Sequence, residues 1–132
     1  MTETAGQIIG TLGEVSSGFS ELASNLRNRE FVTAAVHPVR FSAVPLRVEW
    51  FADAELVDGR AVSFALDARL EGTEWIVDSA VRVVDGYGEN DVLELATRYA
   101  VGDTEFLSVL TAAAGYLFEL RDQALAALGF GS

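Results

Sequence analysis

Apolar and polar residues alternate through residues 46–56, 62–70 and 75–83, and a weaker alternation follows over 93–101. Alternation with a period of two is the pattern of a strand with one buried and one exposed side. In the first stretch Leu46, Val48, Trp50, Ala52, Ala54 and Leu56 share one face, and Arg47, Glu49, Phe51, Asp53 and Glu55 share the other. In the second, Val62, Phe64, Leu66, Ala68 and Leu70 oppose Ser63, Ala65, Asp67, Arg69 and Glu71.

The turns between the strands fix their registers. A two-residue turn at Asp58-Gly59 would set the apolar face of one strand against the polar face of the next. A three-residue loop over 57–59, with Gly59 in the left-handed position of a bulge, restores the parity and pairs Leu56 with Arg60. The second hairpin works with Gly72-Thr73 alone, pairing Glu71 with Glu74, Leu70 with Trp75 and Phe64 with Val81. In the fourth strand Leu93, Leu95, Thr97, Tyr99 and Val101 turn inward. With Val83 opposite Leu93, Arg82 faces Glu94 and Asp78 faces Arg98, two opposite-charge pairs from one register.

Helical spacing flanks the strands. Ile8, Leu12, Val15, Phe19, Leu22 and Leu26 recur every three or four residues and predict a helix over about 4–29. Gly6, Gly10, Gly13 and Gly18 weaken it by up to about 1 kcal/mol each, so it forms by docking, and its two to three heptads are too short for a coiled coil. Residues 31–42, with His37-Pro38, read as a connector because the residue before proline is held extended. Asp103 is placed to cap a closing helix over about 104–128, with Gly129 as its stop. Its apolar stripe is Phe106, Leu110, Ala113, Leu117, Leu120, Ala124 and Leu128. The expected fold is a single α+β domain over 1–132: a four-stranded antiparallel meander sheet over about 44–101, with both helices on one face and Trp50 and Trp75 between the layers (an αββββα two-layer sandwich).

Carrying the registers across maps the face away from the helices. One row reads Phe51, Ala65, Ala80, Ala96; a second reads Glu49, Asp67, Asp78, Arg98; a third reads Asp53, Ser63, Arg82, Glu94. Alanine is poor strand material, so an alanine row ending in phenylalanine describes a shallow groove that a partner backbone could approach. Glu49 opposite Asp67, and Glu71 opposite Glu74, are like-charge neighbours expected to be mildly destabilising.

Composition narrows the reading further. The 132 residues carry a net charge of −11, which disfavours nucleic acid as a ligand and suits a basic protein partner. All nine basic residues are arginine, in keeping with the alanine, glycine and valine of a GC-rich genome. No cysteine is present, so thiol chemistry and disulfides are excluded. The amino terminus lacks the basic region of a signal peptide and no apolar run is long enough for a membrane span, giving a cytoplasmic expectation with no membrane.

Chemistry-bearing residues are sparse. The stretch Asp85-Gly-Tyr-Gly-Glu-Asn-Asp91 gathers three carboxylates but lacks the ligand alternation of a calcium loop, and an acidic surface turn accounts for it better. His37 is the single histidine, so no histidine metal cluster can form, and neither a phosphate loop nor a serine-nucleophile elbow is present. No metal or cofactor is expected, and an enzyme is not. The expectation is a non-catalytic protein-binding module, in the role of an immunity or antitoxin-type inhibitor or a secretion-type chaperone. It would contact its partner through Glu49, Phe51, Asp67, Glu71, Glu74 and Asp78. The alternative is a small-ligand-binding or degenerate enzyme domain, with Ser79, Thr97 and Tyr99 in an inner cavity. Self-association as a homodimer through the alanine row fits either reading.

Overall fold

The computed structural model describes residues 5–27, 33–44, 46–56, 59–84 and 91–127. Along the chain these form α1 (Ala5–Arg27), β1 (Thr33–Val36), β2 (Arg40–Ala43), β3 (Leu46–Glu55), β4 (Ala61–Glu71), β5 (Glu74–Val84), β6 (Asp91–Val101), α2 (Asp103–Glu119) and α3 (Arg121–Ala127). The fold is α+β with one antiparallel sheet, and α1 and α2 pack on the same face of it, α1 over β3 and α2 over β5.

The long strands pair in the registers that parity demands. Glu49 lies opposite Asp67, Phe51 opposite Ala65 and Ala52 opposite Phe64 across β3 and β4. Glu71 meets Glu74 and Phe64 meets Val81 across β4 and β5. Asp78 meets Arg98 and Ser79 meets Thr97 across β5 and β6, with an irregularity between Val83 and Val84. Gly59 has φ 91° and its N–H donates to the Leu56 carbonyl, while Leu56 N–H donates to Arg60 O at 2.8 Å. A side chain other than glycine is strained at that φ, so the glycine sets the parity of the whole sheet.

Within the expected connector, residues 33–36 and 40–43 are strands, so the sheet has six strands rather than four. β1 and β2 are two halves of one edge strand, both paired with β3: Thr33 to Val36 lie opposite Glu55 to Ala52, and Arg40 to Ala43 lie opposite Glu49 to Leu46. The register slips by one residue between the halves, at Pro38. Proline lacks the N–H that a ladder needs, so the break falls there, and His37 N–H donates to Phe51 O at 2.9 Å as the last bond before it. Alternation could not show this strand because Ala34 and Ala35 give its two sides little contrast. What demands it is the row of peptide groups that β3 would otherwise leave bare.

The closing helix is also divided. Leu120 N–H is shared between the carbonyls of Tyr116 and Leu117, both at 3.2 Å, which tightens the turn between α2 and α3. Leu120, Ala124 and Leu125 are all buried in the core. Gly102, not Asp103, is the N-cap, and no side chain caps this end. The expected stop at Gly129 lies outside the described residues, as does most of the acidic stretch 85–91.

The core sits between the helices and the sheet's inner face. Val15, Phe19, Leu22 and Leu26 from α1 meet Trp50, Ala52, Phe64 and Leu66, each 3% exposed or less. A buried side chain of this kind contributes roughly 1.5–3 kcal/mol by leaving water. Trp50 Nε1–H donates to Ser16 Oγ at 2.9 Å, so its one polar atom is satisfied inside the core. Trp75 is half-buried and stacks on Phe106, ring centroids 4.0 Å apart, at the margin of the core rather than within it. Of the α1 glycines, Gly18 has a packing role: a Cβ there would lie 2.6 Å from Phe118 Cζ, and the same ring meets Phe19 edge-on at 5.3 Å. No helix is long and apolar enough to cross a membrane among the described residues.

Candidate functional site

The outer face of the sheet is left uncovered by α1, α2 and α3. Its central row is Phe51, Ala65, Ala80 and Ala96, as register requires. Phe51 is 37% exposed, a large aromatic surface at one end of a floor made of methyl groups. Two depressions share that floor: one of about 590 Å³ bordered by His37, Arg40, Glu49 and Phe51, and one of about 330 Å³ bordered by Asp78, Ala80, Ala96 and Arg98. Both include Ala65 and Asp67, so they form one groove running across the strands.

The edge strand closes one end of the groove. His37 packs against Phe51 with ring centroids 4.9 Å apart, and its Nε2 lies 3.2 Å from Asp53 Oδ1. This corner exists because the register of β1 carries on to His37, directly across from Phe51, and reading the segment as a connector missed it.

One wall of the groove is an ion-pair ladder. Glu49 stands directly opposite Asp67, and one row further on Arg47 stands directly opposite Arg69. Each pair alone is repulsive, but the two lie side by side, and their charges alternate along the diagonals. Arg47 bonds Glu49 at 2.8 Å and also Asp67. Arg69 reaches Asp67 at 2.7 Å, Glu71 at 2.6 Å and Asp78 at 2.6 Å. Arg98 Nε donates to Asp78 at 2.9 Å, and Arg40 occupies the position opposite Glu49 at the other end. The like-charge cost expected for Glu49 and Asp67 is therefore offset by the neighbouring row. That row was legible in the sequence as Arg47 and Arg69 two residues away from the acids.

The ladder holds its charges. Burial pushes the Asp78 carboxyl up, but hydrogen bonds from Arg98 and Arg69 outweigh it and keep the group below the usual carboxylate range. The bonds of Arg69 to Asp78 and Glu71 raise its guanidinium well above the ordinary arginine value. The bond to Asp67 does the same for Arg47. Arg47 and Arg69 each bridge two or more carboxylates, so the wall is cross-linked between strands and presents an ordered border to anything lying in the groove.

Of the six residues expected to contact a partner, Glu49, Phe51, Asp67 and Asp78 are brought together around the groove. Glu71 and Glu74 are on the same face but at the β4–β5 turn, six residues from the alanine row, about 20 Å along the strands. Both are exposed, and Glu71 is already engaged by Arg69.

The inner-face hydroxyls are accounted for within the core. Ser79 is 4% exposed and its Oγ bonds Thr97 Oγ1, so each satisfies the other. Tyr99 has the register of an inward residue but lies at the sheet's edge and is 43% exposed. Among the described residues no three His, Cys, Asp or Glu side chains gather as metal ligands. No family model, curated protein or solved structure matches this chain.

Proposed function

We propose that this chain is a small acidic, non-catalytic protein-binding module that receives a segment of a basic protein in the groove across the outer face of its sheet. The observation that carries the reading is the continuous floor of Ala65, Ala80 and Ala96 ending in exposed Phe51, bordered by charges already organised by arginines. Small side chains there sacrifice strand propensity, and close approach of another backbone is what that sacrifice permits. The wall pairs its own charges, Glu49 with Arg47 and Glu71 with Arg69, so basic groups of a partner would find exposed acid at Glu74 and compete for the exposed Glu71 beside it. A role as an inhibitor of a basic effector, or as a chaperone holding a basic client, uses the same surface.

The test is amide chemical-shift mapping of labelled protein titrated with arginine-bearing peptides, extended and helical, alongside Ala80→Leu. The reading expects shifts clustered at Phe51, Ala65, Ala80 and Ala96 that are lost in the variant. Shifts confined to the inner face around Ser79 and Thr97 would overturn it in favour of a ligand cavity, and outer-face amides unmoved by every peptide would overturn it outright.

A further inference from the structure

The sheet's two edges differ, and the β6 edge carries a self-complementary pattern. Among the described residues no strand pairs the outer side of β6, and Ala96, Arg98, Tyr99 and Ala100 are all exposed. An eleven-residue strand with an open edge and few charges is a template for another strand.

We propose that two copies of this chain join antiparallel through β6 about a two-fold axis at Ala96, making one continuous sheet. Parity and charge together select that axis. With it at position 96, residues 93–99 of the two copies overlap in regular pairing, clear of the irregularity beyond Leu93. Parity is kept, so inner faces join inner faces. The same register sets Arg98 opposite Glu94 of the second copy, twice by symmetry. Moving the axis one residue toward either end sets Arg98 opposite Val92 or Ala96, and moving it two sets Arg98 opposite Arg98 or Glu94 opposite Glu94. Charge complementarity therefore commits the edge to a second copy of this chain in one register.

The arginine ladder anticipates that contact. Arg69 bridges Asp67 and Asp78, two acids of neighbouring strands. Arg98 holds Asp78 while its side chain stays 65% exposed, at the register position opposite Glu94 of the second copy. The alanine floor would run unbroken through Ala65, Ala80 and Ala96 into the second copy's Ala96, Ala80 and Ala65. Tyr99, on β6 itself, is 43% exposed at the edge that the second copy would cover. The inference is independent of what the groove binds.

The test joins sedimentation of the whole chain with cysteine cross-linking, since the sequence holds no cysteine of its own. Wild type is expected to show a reversible monomer–dimer equilibrium at or below about 1 mM chain. Arg98→Glu should raise the dissociation constant about tenfold or more, and adding Glu94→Arg should restore it. Directly opposed residues have Cα atoms about 4.5–5.5 Å apart, so Ala96→Cys should oxidise to a covalent dimer. Ala100→Cys, about 26 Å from its copy, should not. A monomer throughout the range, or cross-linking at position 100 as readily as at 96, overturns the proposal. So does a dimer that the Arg98→Glu and Glu94→Arg pair weakens further. Circular dichroism of each variant excludes misfolding as the cause of a lost dimer.

Discussion

Alanine lines both faces of this sheet, with opposite consequences. On the inner face Ala52, Ala54 and Ala68 are at most 1% exposed, beneath the helical layer. On the outer face Ala65 and Ala80 are half-open and Ala96 is exposed, with nothing among the described residues packed on them. The same residue that admits a helix on one side leaves a vacant floor on the other. A small side chain in a strand thus records a close approach, and only the surrounding layers show whether that approach has been made within the chain.

The sharpest way to break this comparison is to enlarge one alanine on each face. Ala52→Leu forces extra methylenes under α1 and should destabilise by about 1–3 kcal/mol. Ala80→Leu should change stability by less than about 0.5 kcal/mol, because the added surface meets solvent and the strand gains propensity. Urea unfolding midpoints of the two variants measure the contrast, and equal losses would mean that the outer floor is already packed.

A smaller effect separates the faces by pH. The folded carboxyl of Asp78 is held below its ordinary value, so the stability it contributes is fully present above about pH 3.9. It is lost as pH falls through the lower folded value. Asp78→Asn should cost about 1 kcal/mol near neutral pH, with the difference from wild type shrinking below about pH 4, as acid titrations followed by circular dichroism would show. Among the described residues the inner face holds no charge, so Ala52→Leu should keep its full penalty there.

The smallest effect lies in the helix that covers the inner alanines. A Cβ at Gly10 meets nothing within 4 Å, so Gly10→Ala should stabilise by about 0.5–1 kcal/mol. Gly18→Ala must displace the Phe118 ring and should destabilise instead. Thermal unfolding of the pair reads the sign directly. A gain at both positions would mean that the two helices are not seated as closely as the Phe19 and Phe118 contact indicates.

The faces of β3, β4, β5 and β6 from Leu95 onward were legible in the sequence, because parity is a local property that Gly59 and the Gly72-Thr73 turn transmit from strand to strand. Ser79 against Thr97, Asp78 against Arg98 and the alanine row all followed from counting. The edge strand was not legible. The pattern in Thr33 to Val36 is faint, and β1 and β2 satisfy the peptide groups of β3, the strand that follows them. The ladder was half legible: the acids were placed, but their neutralisation depends on arginine side chains reaching diagonally between strands. The break at Leu120 and the role of Gly18 depend on how two helices and a twisted sheet fill a common volume. Local periodicity in the sequence determined faces and registers. Tertiary structure decided the edges, the charge partners and which alanines are covered, since each of these is a relation between segments that periodicity does not encode.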